Sequence, residues 1–180
     1  MKVLYPLLIL ATFILSGCTL VLDTQPDSVD TPPYAGKGLN VAVIGEAPSV
    51  RERQVAFSAI TLDEMYDNSR SLSAEYDAVI IMKEHLSEAA EARYAEVYQT
   101  AGIPFFFIGS TKSYMPFVLE DLDYEDVPEM NNEMYATGYF NAEDKWQFWA
   151  TGLYNNKVNN RNIKSAYSAV FEAINNWPVK

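Results

Sequence analysis

Cysteine and histidine are almost absent from this sequence. Its 180 residues include one cysteine, Cys18, and one histidine, His85. A single cysteine cannot form a disulfide within the chain, so a packed core must stabilise the fold. A zinc site would need further histidine or cysteine ligands, which the chain does not have. The sequence therefore predicts no metal site.

Basic residues and nucleotide-binding motifs are also scarce. The chain has 13 Lys and Arg residues against 24 Asp and Glu residues, and a formal net charge of −11. Without a basic cluster, nucleic acid is a poor partner. There is no G-x-S-x-G, no Walker A stretch, and no run of glycines at dinucleotide-binding spacing after Gly45. These absences argue against catalysis and predict that no cofactor is bound.

The N-terminal residues have the features of a secretory signal. Lys2 supplies a positive charge, and the stretch Val3–Leu15 is hydrophobic except at Pro6 and Thr12. The stretch is shorter than the roughly 20 apolar residues that a membrane-spanning helix needs. It ends in Leu15-Ser16-Gly17-Cys18, which resembles the lipobox of bacterial lipoproteins.

The lipobox resemblance implies a lipid anchor. It implies cleavage of a signal peptide, residues 1–17, and acyl chains on Cys18 that hold the protein at the extracytoplasmic face of a cell membrane. Three alternatives stay open: an uncleaved anchor helix ending near Leu22, a secreted protein with an incidental cysteine, and a catalytic cysteine. Because the chain is acidic, anionic headgroups should repel it, so lipid rather than charge would provide membrane contact.

Residues 18–38 read as a lipidated tether. Aspartate, proline and glycine are frequent there, and apolar periodicity stops after Leu22. Such a composition predicts an extended, disordered linker. No internal repeat or second linker follows, so residues 39–180 are predicted to form one α/β domain.

Three nearly continuous apolar runs predict buried parallel strands: Leu39–Gly45, Asp77–Met82 and Pro104–Gly109. Between the last two, helical spacing over 86–101 predicts one helix with Ser87 as its N-cap. Strand, helix and strand together form a βαβ unit.

Two further regions are more ambiguous. Val55–Leu62 is read as a strand followed by a helical turn over Asp63–Tyr66, with one long helix over Ser49–Met65 as the alternative. Met134–Phe140 is predicted as an edge strand weakened by Gly138.

The remaining C-terminal pattern predicts two helices. The first is capped by Asn141 and carries four apolar residues on one face: Trp146, Trp149, Ala150 and Leu153. The second has an apolar stripe over Ile163–Ile174. The fold class is therefore α/β, a small three-layer sandwich with a mostly parallel sheet of three to five strands, flavodoxin-like by analogy.

Polar residues follow the three predicted parallel strands. Ligands in such sheets bind beyond the carboxyl ends of the strands, and the loops there provide six candidate pocket residues: Glu46, Ser49, Lys83, His85, Ser110 and Lys112. Of these, Glu46, His85 and Lys112 are expected to converge. The alternative is ordinary loop polarity. His85 with Glu46 or Glu84 could act as an acid–base pair.

Two other clusters stand out. Residues 120–129 hold six carboxylates, but the glycine that a helix-loop-helix calcium site needs is missing, so a solvated acidic loop is predicted. Aromatic residues are frequent over 135–154. If exposed, they would form a stacking platform for a sugar or a partner protein; if buried, they would fill the core.

Taken together, these patterns favour a membrane-anchored, extracytoplasmic binding module without catalytic activity, whose partner is an unknown envelope protein or small ligand. The first alternative is a solute-binding lipoprotein with a small-molecule pocket at the strand ends. The second is an envelope enzyme that uses His85 and Glu46.

Overall fold

The computed structural model describes residues 26–130, 134–142 and 145–177. Cys18 and the predicted signal peptide lie outside these ranges. None of the described helices is both long enough and apolar enough to cross a membrane. The strands are β1 (Leu39–Ile44), β2 (Val55–Ala59), β3 (Ala78–Ile81), β4 (Phe105–Ile108), β5 (Met134–Ala142) and β6 (Lys145–Gly152). The α-helices are α1 (Leu62–Asp67), α2 (Leu72–Glu75), α3 (Leu86–Ala89), α4 (Ala92–Thr100), α5 (Met115–Val118) and α6 (Asn160–Asn176).

The six strands form one mixed sheet in the order β2-β1-β3-β4-β5-β6. The first four strands are parallel, while β5 is antiparallel to both β4 and β6. The α/β class and the three parallel strands from apolar runs are confirmed. The prediction of a mostly parallel sheet with three to five strands is wrong, because the C-terminal third adds an antiparallel hairpin.

Both faces of the sheet carry buried apolar side chains. In β1, Ala42 and Ile44 belong to one cluster, whereas Val41 and Val43 belong to the other. Since side chains alternate along a strand, the two clusters lie on opposite faces. The first cluster contains residues of α1 to α5, and the second contains the apolar stripe of α6.

The second strand and the helix after it follow the favoured interpretation of the sequence. β2 pairs with β1 in parallel, and Ile60 N–H continues the ladder by donating to Val43 O at 3.0 Å. Thr61 then caps α1 in a capping box with Glu64. This cap satisfies two backbone N–H groups and starts the helix soon after the strand, so the alternative of one long helix is wrong.

The C-terminal hairpin corrects two predictions. The segment after Asn141 is strand β6 rather than a helix, and β6 rather than β5 is the sheet edge. Trp146, Phe148 and Ala150 are exposed, while Gln147 and Trp149 between them are partly buried, as expected for an edge strand. Asn141 caps no helix; its amide donates to the carbonyl oxygen of Gln99 at 3.0 Å.

The predicted helix over 86–101 is divided into α3 and α4. Glu91 has extended backbone angles and separates them. Ser87 is not an N-cap, because a short 3-10 turn over Lys83–His85 starts the helical run earlier. The Ser87 hydroxyl instead donates to the carboxylate of Glu125 at 3.2 Å.

Residues 26–34, here called the N-terminal arm, lie against α6. Tyr34 is buried at 2% exposure, and the Val29 N–H donates to the Asn162 side chain at 3.0 Å. The prediction of a disordered linker that extends to Gly38 is therefore wrong for this part of the chain. The arm buries one aromatic ring, and its backbone groups bond to side chains of α6 and of the loop between β1 and β2.

Candidate functional site

The loops that follow β1, β3 and β4 meet at one edge of the sheet, here called the carboxyl edge. Gly45 after β1 and Gly109 after β4 have positive φ angles of 108° and 74°. A Cβ atom on Gly45 would lie 2.7 Å from Glu84 Oε1, and one on Gly109 would lie 2.9 Å from Lys83 Cβ. Glycine is thus required at both positions for the backbone angle and for the side chains packed over it.

The six predicted pocket residues do not share one cavity. Glu46, Ser49 and Lys83 are exposed, and His85 is half-buried. Ser110 is fully buried and Lys112 is 7% exposed. The parallel topology delivers the loops to one edge as expected, but each side chain then takes its own direction.

Lys112 has a structural role in the fold. Its ammonium group donates to the carbonyl oxygens of Tyr124 and Glu125, and lies 4.6 Å from the centre of the Tyr124 ring. The Ser110 hydroxyl is bonded to the backbone N–H and carbonyl of Lys112. These bonds hold the loop around residues 124–126 to the end of β4. The Lys112 ammonium group is therefore already bonded within the fold.

His85 lines a cleft of about 300 Å³ at the carboxyl edge. Its walls come from the ends of β1 and β2, from the start of α1 and from α3. The lining residues are Ile44, Gly45, Ile60, Thr61, Leu62, Asp63, His85 and Glu88. Glu46 and Lys112 do not line this cleft, so the expected convergence of Glu46, His85 and Lys112 is not observed.

The two carboxylates of the cleft, Asp63 and Glu88, both pair with Arg93, which does not line the cleft. Arg93 lies 3.0 Å from a carboxylate oxygen of Asp63 and 3.9 Å from one of Glu88. The Thr61 hydroxyl is used in the capping box of α1. Within the described ranges, no three His, Cys, Asp or Glu side chains are grouped so that they could hold a metal ion. The cleft thus presents an imidazole beside apolar strand ends, a setting for a small organic ligand.

A larger hollow of about 520 Å³ lies elsewhere, between the C-terminal part of α1 and α4. It is lined by Tyr66, Asp67, Ser69, Arg70, Glu96, Val97 and Thr100. None of the six predicted pocket residues lies there. Its lining is mostly polar.

Three aromatic side chains form a row that runs from the partly buried Tyr114 to the exposed Phe148 and Trp146, here called the aromatic edge. The centres of the Tyr114 and Phe148 rings are 5.5 Å apart, and those of Phe148 and Trp146 are 6.1 Å apart, with nearly parallel planes. Trp146 is 58% exposed and Phe148 is 48% exposed. The row begins on the buried core, where Tyr114 stacks on Tyr139 at 5.1 Å.

The aromatic cluster of the sequence is therefore divided between surface and core. Trp149 packs on Phe106 and Trp177, and Phe140 and Tyr139 are buried. Tyr114 was not among the predicted candidates, because it lies at the start of α5, far along the chain from β6. Only the pairing of β5 with β4 and β6 brings these rings together.

No known protein family, no curated protein and no solved structure matches this chain in comparisons of family models, sequences and folds.

Proposed function

We propose that this protein is an extracytoplasmic lipoprotein, anchored through Cys18, whose α/β domain is a non-catalytic binding module. The Leu15-Ser16-Gly17-Cys18 motif supports the anchor. Cys18→Ser should abolish lipid attachment and release the protein from the membrane. The mass of the N-terminal peptide of the purified protein tests this, and acyl chains on a protein that lacks Cys18 would contradict it.

The observation that supports binding is the aromatic edge. Large aromatic side chains that are half exposed and already stacked can bind a partner at little cost in side-chain entropy. Phe148 and Trp146 lie on β6, the edge strand of the described sheet, and an edge strand is where a further strand can be added. A partner protein that contributes an extended segment would satisfy both features.

A cross-linking experiment on membranes tests this binding. The lipidated protein would carry a photoreactive residue in place of Ala150, which is exposed on β6, and cross-linked partners would be identified by mass spectrometry. Trp146→Ala with Phe148→Ala should abolish the cross-link. Tyr66→Ala, which removes a ring that is 45% exposed on α1, should preserve it. Equal cross-linking in all three proteins would contradict a role for the aromatic edge.

The second candidate function is binding of a small molecule in the His85 cleft. The supporting observation is the position of the cleft, beyond the carboxyl ends of β1 and β2 in a partly parallel sheet, where ligands commonly bind. NMR of the single histidine gives a direct test. Its imidazole signals should shift when a mixture of envelope metabolites is added, and Gly45→Val should block the shift.

We also propose, by analogy, that the domain has a three-layer, flavodoxin-like arrangement. It is supported by the parallel order β2-β1-β3-β4 and by the alternation of core residues between the two faces. An experimental structure of the full chain would test it.

A further inference from the structure

The N-terminal arm fixes the point from which the chain runs towards Cys18. The Asp27 carbonyl oxygen accepts hydrogen bonds from the side-chain amides of Asn159 and Asn162, both at 3.0 Å. Asn159 is the N-cap of α6. Residue 26 therefore lies at the first turn of α6.

That end of α6 lies at the carboxyl edge. β6 runs in the same direction as β1 to β4, since two antiparallel steps separate it from β4. The chain leaves β6 at Gly152 and begins α6 at Asn160. At the other end of the arm, the Tyr34 hydroxyl bonds to Lys37 O and to Asn175, near the end of α6. The arm thus runs along α6 from the carboxyl edge to the start of β1.

The surface at the start of α6, where the chain runs from the N-terminal arm towards Cys18, differs in charge from the rest of the protein. Residues 153–171 contain three basic and no acidic side chains, in a chain whose net charge is −11, and Asp27 and Asp30 of the arm lie beside them. Lys157 and Lys164 form no ion pair with any described residue, while Arg161 lies 3.9 Å from Asp30 of the arm. Beside them, Val158 is 78% exposed, the most exposed of the large hydrophobic side chains in the described chain.

We propose that this surface, the basic corner of Lys157, Val158, Arg161 and Lys164, is the part of the domain that contacts the membrane, and that it binds anionic lipid headgroups. The proposal rests on lipid attachment at Cys18, part of the proposed function. Seven residues lie between Cys18 and Pro26, so an extended segment reaches at most about 29 Å. The anchor therefore keeps the basic corner close to the lipid.

Charge then selects the orientation. Asp30 balances Arg161, which leaves Lys157 and Lys164 to attract headgroups, while the acidic remainder of the domain is repelled. The acidic composition predicts that anionic headgroups repel the protein surface. The basic corner is proposed as a local exception to that repulsion.

Lysine acetylation read by mass spectrometry tests the contact on the full chain. Lipidated protein would be inserted into preformed vesicles of phosphatidylcholine, with or without phosphatidylglycerol. Acetylation of Lys157 and Lys164 should be about fivefold slower with the anionic lipid, the ratio that corresponds to about 1 kcal/mol per basic residue. Lys37, before β1, and Lys145, at the opposite end of β6, should react equally in both, and high salt should remove the difference.

A charge added beside the reporters provides the matched comparison. Asn160→Glu places a carboxylate at an exposed position in the first turn of α6 and should remove the protection, whereas Ala74→Glu at an exposed position of α2 should retain it. The proposal would be overturned if Lys157 were acetylated at the same rate in neutral and anionic vesicles. It would also be overturned if anionic lipid slowed the acetylation of Lys37 as much as that of Lys157. The same digest reports whether Cys18 is acylated. If Cys18 is not acylated, the proposed lipidation fails. The Cys18 thiol can then be coupled to a maleimide lipid, which places an anchor at the same residue. The membrane contact of the basic corner is therefore tested in both cases.

Discussion

Ser168 of α6 donates a hydrogen bond to the buried carboxylate of Glu52, in the loop between β1 and β2. The same carboxylate accepts from the backbone N–H of Tyr34 at 3.0 Å. Arg51 joins the group, since its guanidinium donates to Ser168 Oγ and to Thr31 O. One acidic side chain thus connects the arm, the first loop and the last helix.

Glu52→Ala should lower the free energy of unfolding by about 2–4 kcal/mol, because the donors of Tyr34 and Ser168 lose a buried acceptor. Glu52→Gln keeps one acceptor oxygen and should cost less. Urea unfolding followed by tryptophan fluorescence measures the change. Glu96→Ala, at an exposed position of α4, is the control, and an equal loss in the two alanine variants would contradict the role of Glu52.

Asn162→Ala should release the N-terminal arm. The buried amide accepts from Val29 N–H and donates to the carbonyl oxygens of Asp27, Tyr154 and Lys157. In the native protein, residues 27–34 should resist proteinase K; in the variant, cleavage there should become faster by tenfold or more, since losses of about 1–3 kcal/mol per unsatisfied group favour local opening. Asn160→Ala at an exposed position should leave the cleavage rate unchanged.

Sequence patterns were sufficient where the signal is local. β1, β3 and β4 are short continuous apolar runs, and the helical turn predicted over Asp63–Tyr66 lies within α1. The meeting of the strand-end loops also followed from parallel topology. The direction of each side chain did not follow, because Lys112 reaches two carbonyl groups of a loop that no pattern relates to it.

β6 and the arm were missed for a related reason. Trp146, Trp149 and Leu153 fit helical spacing, while Trp146, Phe148 and Ala150 fit strand spacing, and only pairing with β5 selects the strand. The arm has the composition of a linker, but its acceptors and donors are met by Asn162, more than 130 residues away. Contacts over such separations leave no mark in local composition.

Gly138 provides a test of the hairpin packing. Its position in β5 was expected to weaken a strand, yet a Cβ there would lie 2.6 Å from Phe106 Cε1 and 3.0 Å from Trp149 Cε3. Glycine allows these two rings to pack with centres 5.4 Å apart. Gly138→Ala should therefore destabilise the protein by about 1–3 kcal/mol through overpacking. Denaturation of this variant beside Ala150→Gly, at an exposed position of β6, measures the effect; a neutral Gly138→Ala would show that the rings can separate.

Alkaline pH should destabilise the domain through its buried tyrosines. Burial raises the pKa of Tyr98 well above its ordinary value, and nearby Tyr94 raises it further. The pKa of Tyr167 is also raised, mainly by burial and in addition by nearby Tyr135. A phenol in the unfolded chain loses its proton near pH 10 while the folded phenol keeps it. Their stabilising effect is therefore complete below about pH 10 and is lost as the pH rises above it.

Tyr98→Phe separates this effect from general alkaline unfolding. The variant loses the hydrogen bond from Tyr98 to the Ala89 carbonyl oxygen, so at pH 7 it should be less stable by about 1 kcal/mol. Above pH 10 the unfolding free energy of the variant should fall less steeply with pH than that of the native protein. The two slopes should differ by about 1.4 kcal/mol per pH unit, because one fewer phenol ionises when the variant unfolds. Urea midpoints between pH 7 and pH 11 measure both quantities. Ser87→Ala, which removes an exposed hydroxyl and no titrating group, should follow the native slope, and parallel curves for native protein and Tyr98→Phe would exclude Tyr98 as a source of alkaline sensitivity.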